Sequence, residues 1–155
     1  MTAALAILLL AGGCGGSDSA SGGEVSVQTG SLSKAEFIKR ADAICAANRN
    51  QFNQEYAAFL RSELSKSSNS DQNALRDELV ETILIPNYGK DVDEISALGA
   101  PGGDEQEVSS FLKSLQQRLD ELGEKPSELS NEMFVKPAKL AKTYGLAGCV
   151  KSLIG

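Results

Sequence analysis

The chain has 155 residues, 41% of them hydrophobic and 23% charged, with three cysteines, neither histidine nor tryptophan, and a formal net charge of −6. That length suits one domain able to bury most of its apolar surface. The lack of histidine excludes a Ser-His-Asp triad, a Cys-His pair, a histidine zinc site and the Glu-x-x-His ligands of di-iron bundles. Lys and Arg are scattered among carboxylates, which argues against a nucleic-acid partner, since phosphate binding needs clustered positive charge.

The apolar run from Ala3 to Ala11 is about as long as a signal-peptide core and far short of the roughly 20 residues a membrane-spanning helix needs. It leads into Leu8-Leu9-Leu10-Ala11-Gly12-Gly13-Cys14, which resembles a bacterial lipoprotein signal: small residues precede a cysteine that receives a lipid and becomes the new N-terminus. Two positions depart from that pattern. No Lys or Arg precedes the run, as would follow if the true start lay upstream of Met1, and Ala11 stands where such signals usually carry leucine. The resemblance implies that residues 1–13 are a signal peptide and that Cys14 carries a palmitate-type lipid. It also implies a mature protein that is extracytoplasmic and anchored to the outer face of the cell membrane.

From Gly15 to Gly30 the chain has five glycines and four serines and cannot bury enough to offset its ordering entropy, so residues 14–31 read as lipidated cysteine plus flexible tether. Such a tether has a root-mean-square reach of about 20–24 Å. A helical domain is expected over residues 32–155. Ser33 and Glu36 form an S-x-x-E capping box, with Leu32 placed to staple against Phe37. Phe37, Ala41, Ile44, Cys45, Phe52, Tyr56, Phe59, Leu60 and Leu64 then mark one face of a long helix running to about Lys66. Asn48 shares that face and needs a buried partner or a wet position.

Ser67-Ser68-Asn69-Ser70 reads as a turn, after which Asp71 or Ser70 caps a second helix with Leu75, Leu79, Ile83, Val92, Ile95 and Leu98 in period. Pro86 should kink it near Thr82 to Ile85, leaving helix on both sides, and Pro101-Gly102-Gly103 should stop it. Asp104 and Glu107 give a cap-and-acid start to a third helix with Val108, Phe111, Leu112, Leu115, Leu119 and Leu122 inward. A final helix is expected from about Ser130 to Tyr144, interrupted or restarted near Pro137, with Gly145 as its left-handed stop and Leu146 making the accompanying apolar contact. No stretch alternates with a two-residue period. The expected fold is therefore all-α, an up-down four-helix bundle with one kinked helix.

With Cys14 assigned to lipid, Cys45 and Cys149 remain as an isolated pair. In an oxidising compartment they are a candidate disulfide joining the first helix to the C-terminal segment; the alternative is two separate buried thiols. The runs Phe37-Ile38-Lys39-Arg40-Ala41-Asp42-Ala43-Ile44-Cys45-Ala46-Ala47-Asn48 and Tyr144-Gly145-Leu146-Ala147-Gly148-Cys149, with the central Leu98-Gly99-Ala100-Pro101-Gly102-Gly103-Asp104-Glu105, resemble a family of small secreted or lipid-anchored proteins of unknown function from high-GC Gram-positive bacteria. The resemblance implies a helical domain with one disulfide and supplies no catalytic residue.

The remaining chemistry is carboxylate. Asp91, Asp93 and Glu94 lack the glycine and terminal glutamate of an EF-hand loop and read as a solvated helix face, with Lys90 offsetting Asp93 or Glu94. Asp104, Glu105 and Glu107 suit the positive end of a helix dipole better than a metal site. No catalytic, cofactor-binding or metal-binding residue emerges. The sequence reads as a non-enzymatic envelope lipoprotein whose domain binds a protein or a small apolar ligand. The alternative is a carboxylate-dependent enzyme or metal-dependent envelope factor. A buried acidic cluster facing a cavity would favour that alternative, whereas a continuous apolar groove, particularly around Pro86, would favour ligand or helix binding.

Overall fold

The computed structural model describes residues 25, 27–65, 71–130 and 132–155. The signal segment, Cys14, the tether up to residue 24 and the turn at Ser67–Ser70 lie outside the described residues. The architecture is all-α: α1 Lys34–Ser65, α2 Gln72–Leu79, a π-helical turn Val80–Leu84, α3 Ile85–Ala97, α4 Glu105–Glu124, a 3-10 turn Pro126–Glu128, α5 Val135–Tyr144 and α6 Ala147–Ile154. No helix among the described residues is long and apolar enough to cross a membrane.

α1 starts where its capping residues place it. Ser33 Oγ accepts from the Glu36 amide at 3.3 Å, and Leu32 packs against the core cluster that contains Phe37. The Glu36 carboxylate pairs with Arg40 one turn on, at 3.2 Å. Burial of the expected face then runs out along the helix. Phe37, Ala41, Cys45 and Asn48 are buried, but Tyr56, Leu60 and Leu64 are exposed, Leu64 by 86%.

Asp71 caps α2 by accepting from the Asn73 amide at 2.9 Å. Helical residues continue on both sides of Pro86, joined by the π turn just before it. Pro86 has no amide to offer the Thr82 carbonyl, and its ring crowds that carbonyl; a turn widened by one residue, with the Ile85 amide reaching Val80 O, accommodates both. Asn87 Nδ2 also donates to Ile83 O, at 2.8 Å. The stop of α3 comes earlier than Pro101. The helix ends at Ala97, and Gly99 turns the chain at φ +66, a conformation side chains rarely adopt.

That turn also receives the end of the segment expected to be tether through Ser31. Residues 28–30 are docked: Thr29 forms a parallel bridge with Ala100, Gly30 N donates to Ala100 O at 2.6 Å and Ala100 N to Gln28 O at 2.8 Å. Thr29 Oγ1 donates to Glu105 at 2.7 Å. Only glycine allows the approach, since a Cβ on Gly30 would lie 2.7 Å from Gly99 O.

α4 buries every apolar position expected of it, from Val108 to Leu122. Asp104 stands at its N-cap but makes no side-chain cap bond. Its Oδ2 instead accepts from Tyr144 Oη at 2.8 Å and pairs with Lys34 at 3.2 Å. This hydrogen bond lowers the Asp104 pKa. Tyr144 is raised by burial and by the Asp104 charge.

The C-terminal region differs most from expectation. The helix expected from Ser130 starts at Val135, with Pro137 in its first turn, where no helical amide is lost. Gly145 adopts φ +106, and Leu146 N reaches Ala141 O at 2.9 Å, closing the left-handed stop expected there. A further helix, α6, follows and carries Cys149, so this cysteine lies within a helix and not just after the last one. Cys45 and Cys149 are disulfide-bonded with Cα atoms 5.0 Å apart. Asp42 Oδ1 accepts from the Gly148 and Cys149 amides at 2.8 and 3.2 Å. α1 packs on α3 and α6, α3 on α4, α4 on α5, and α5 on α6, closing a ring of helices around Phe37, Ile95, Phe111, Leu115 and Leu146. α2 leans on the 3-10 turn, not substantially on α1.

A Cβ added at Gly148 would sit 2.8 Å from Asp42 Cβ and 2.9 Å from Asp42 O, whereas one added at Gly89 in α3 meets nothing within 4 Å. In urea denaturation of the oxidised protein, Gly148→Ala should therefore lose about 1–3 kcal/mol by overpacking. Gly89→Ala should gain up to about 1 kcal/mol from helix propensity. Equal effects of the two substitutions would contradict the clasp between α1 and α6.

Candidate functional site

The uncovered part of α1 forms one wall of a groove of about 580 Å³. Phe52 and Tyr56 line it from α1, Leu79 and Leu84 from the two ends of the π turn, Tyr88 from α3, Leu129 and Phe134 from the connection into α5, and Leu153 and Ile154 from the end of α6. The groove exists because α2 diverges from α1 after the connection between them and takes its support from residues 126–128. Tyr56, Phe52, Tyr88 and Phe134 make a continuous aromatic floor, with successive ring centroids 5.9, 6.0 and 5.1 Å apart. The first pair is stacked at 8° and the other two are tilted at 35°. Beyond Tyr56 the apolar stripe continues on α1 through Leu60 and Leu64, and Ile154 is 54% exposed on the α6 side.

Tyr88 is fixed in this floor by donating its hydroxyl to Ser152 O at 2.9 Å. Burial, and secondarily the charge of Asp91, push its pKa up to about 12, so it stays a neutral donor. Pro86 itself faces a second hollow of about 350 Å³, on the polar side, with Gln51, Glu55, Asn87 and Lys90. There Asn87 Nδ2 donates to Glu55 at 2.6 Å and Lys90 Nζ to Gln51 at 3.1 Å. The Glu55 pKa is lowered by its bonds from Gln51 and Asn87.

Beneath the aromatic floor lies the one departure from a solvated acidic face. Asp91 is only 2% exposed, and Asn48 Nδ2 donates to it at 2.8 Å and to Glu94 at 3.3 Å. The partner that Asn48 requires is thus a carboxylate pair on α3. Lys90 offsets Glu94 at 3.8 Å, as the spacing predicts. Burial pushes the Asp91 pKa up to about 6 despite the Asn48 hydrogen bond. The interstice that Asp91 shares with Phe52 and Tyr88 is too small to hold a water molecule, so this acid faces packing, not a substrate cavity.

The structure joins Cys45 and Cys149 at the α1–α6 contact, away from the groove lining. Cys14 lies outside the described residues. Among the described residues no group of His, Cys, Asp or Glu is placed to hold a metal ion. Neither Tyr88 nor Phe134 stands out in the sequence as a site residue. The available signal was the length of α1, about 48 Å for its 32 residues against about 30 Å for the 20 of α4, which leaves its last turns without cover. Comparison with protein-family models, curated proteins and solved structures finds no match.

Asp91 sets a pH dependence. Because its folded pKa of about 6 lies above the unfolded value of 3.8, its favourable contribution is complete below about pH 4 and is lost as pH rises through 6. Urea titrations should show this group costing on the order of 2–3 kcal/mol between pH 4 and 7. Asp91→Asn should flatten that slope and leave the protein at least as stable as the parent at pH 7. An unchanged slope in the variant would show that Asp91 is not the group responsible.

Proposed function

We propose that the chain is a non-catalytic cell-envelope lipoprotein, anchored through Cys14, whose helical domain binds a partner in the groove floored by Tyr56, Phe52, Tyr88 and Phe134. The groove itself supports this reading: ligand and partner sites are concave and lined by aromatic and aliphatic side chains with a few polar groups among them. In architectural terms we read the domain as an elaborated four-helix bundle. α2 and α3 act as one helix kinked at the π turn, and α5 and α6 together supply the fourth. The resemblance of residues 37–48 and 144–149 to the lipid-anchored family of high-GC Gram-positive bacteria supports an envelope location, as does the disulfide. The enclosed position of Asp91 gives no support to a carboxylate enzyme.

The tether joins the domain at the end remote from the groove. The docked residues 28–30 leave the chain beside the α3–α4 turn and the start of α1. Along α1, Phe52 and Leu64 lie about 27 and 45 Å beyond Lys34. The groove then lies at the opposite end of α1 from the point where the tether joins the domain, and a flexible tether leaves the domain free to turn it toward partners in the envelope.

Two measurements test the proposal. Intact mass spectrometry of protein from membranes should show diacylglyceryl modification at Cys14, and Cys14→Ser should release the chain from the membrane fraction; an unmodified N-terminus elsewhere would remove the anchor. Tyr56→Asp with Leu60→Asp should cost about 1–3 kcal/mol of stability, through the lost stacking on Phe52 and the lower helix propensity of Asp, and should abolish crosslinks to a specific envelope partner, while Leu64→Asp, at a position 86% exposed, should leave stability within about 1 kcal/mol. Crosslinking that survives these substitutions would move the binding site elsewhere.

A further inference from the structure

We propose that Asp91 and Asn87 form a proton-operated latch: the Asp91 carboxylate takes up a proton from water and donates it to Asn87 Oδ1, and loss of that proton loosens α6 from α1 and α3. The latch is independent of the groove reading, since its effector is the hydrogen ion. Three observations carry it. The first is a buried charge without a counter-ion. Asp91 is 2% exposed, and among the described residues no ion pair includes it. Its hydrogen bond comes from Asn48 Nδ2, which also serves Glu94. Burial with so little compensation favours the neutral acid.

The second is an acceptor without a donor. Asn87 is 5% exposed; its Nδ2 donates to Glu55 and to Ile83 O, but its Oδ1 has no hydrogen-bond partner among the described residues. Asn87 and Asp91 are four residues apart on α3, so their side chains are neighbours on one face, and both line the interstice that is too small for water. A carboxylic acid has the O–H donor that this carbonyl lacks, whereas a carboxylate brings only further acceptors. Deprotonation therefore leaves a charge and an unpartnered carbonyl in one dry interstice.

The third is position. Asn48, Arg49 and Phe52 close the interstice from α1, and Ser152 closes it from α6. There α6 is held by Tyr88 Oη donating to Ser152 O and by Arg49 donating to Lys151 O. The ionisable groups around the Asp91–Asn87 pair are Arg49 and Glu55 on α1 and Tyr88, Lys90 and Glu94 on α3. The buried faces of α4, α6 and the π turn bring none. Lys90 pairs with Glu94 and Arg49 bonds α6, so neither pairs with Asp91. Burial therefore dominates and pushes the Asp91 pKa up to about 6. The latch is closed below that pH and opens as the charge appears above it, because the folded value lies above the unfolded 3.8.

The test uses the full mature, oxidised chain. Carbon-13 NMR of the side-chain carboxyl should show Asp91 titrating near pH 6. Asn87→Ala should move that midpoint down by about one pH unit, the effect of one neutral hydrogen bond, and Glu94→Gln should move it by less. Hydrogen exchange, corrected for the intrinsic rate, should show protection of the Val150–Leu153 amides falling roughly tenfold or more from pH 5 to 7.5. The interval between 3.8 and about 6 caps that fall at about a hundredfold. The Gly30 and Ala100 amides, which bond the docked N-terminal residues outside the interstice, should keep their protection throughout. Asp91→Asn, whose amide supplies the donor at every pH, should hold α6 at its pH 5 protection. A parent midpoint near pH 4 would overturn the latch. So would a midpoint that answers to Glu94→Gln at least as strongly as to Asn87→Ala, since the proton would then lie between two carboxylates. Protection of α6 that ignores pH, or that falls equally in Asp91→Asn or at Gly30 and Ala100, would overturn it as well. Should Asn87→Ala fail to fold, the exchange comparison between the parent and Asp91→Asn decides alone.

Discussion

The contact on which the rest of the domain depends is the clasp between α1 and α6. An eight-residue helix has no stability of its own, because nucleation costs more than so few hydrogen bonds return. α6 is helical because its neighbours complete it. Asp42 accepts from the amides of Gly148 and Cys149 at its start, the end where a carboxylate also meets the positive end of the helix dipole. Near its end, Arg49 donates to Lys151 O, and Tyr88 donates to Ser152 O. The Cys45–Cys149 bond closes a loop of sequence separation 104, for which chain entropy alone gives about 4–5 kcal/mol. With α6 in place, α5 gains its second neighbour and the ring of helices closes.

A second cluster ties the end of the molecule where the N-terminal segment enters. Tyr144 from α5 donates to Asp104 before α4, Lys34 at the start of α1 pairs with the same carboxylate and lies 4.2 Å from the Tyr144 ring centroid, and Phe37 meets that ring edge-on. Thr29 and Glu105 add the docked residues to the same corner. The far end has no equivalent cluster among the described residues. There α1 extends past its partners and α2 rests on a single 3-10 turn. Elements with few buried contacts open at low free-energy cost, and binding surfaces are drawn from that end of the range. The groove therefore sits where its walls are least constrained, while the clasp and the Tyr144 corner hold the rest.

What the sequence discloses and what it conceals divide along the range of the interactions. α1, α4 and the stop at Gly145 are readable because Ser33, the Val108–Leu122 period and a left-handed glycine act within one or two turns of themselves. α6 is not readable: its cap is Asp42, more than 100 residues away, and Gly148 inside it looks like a breaker until the close approach of Asp42 is seen. Asp91 sits in an acidic run and reads as solvated; only the rotation of α3 against α1, which brings Asn48 to it, buries it. Pro86 announces a disturbance, but the choice of a π turn depends on what Asn87 and Ile85 can bond to. The groove belongs to no single segment, since it follows from the mismatch between the lengths of α1 and its neighbours.

That mismatch leaves apolar side chains exposed along the last turns of α1. Full burial of an apolar side chain of this size is worth about 1.5–3 kcal/mol; Leu64, 86% exposed, forgoes most of it, and Leu60, 42% exposed, less than half. Glutamate or lysine at either position would suit the helix equally well, since both are strong helix formers. Among the described residues no contact requires leucine at position 64, which is 86% exposed. Phe52, Tyr88 and Phe134 are different, because they pack on the core and would be aromatic in any case. Under the proposed function, the exposed leucine at the end of this stripe is accounted for by a surface that another molecule brings.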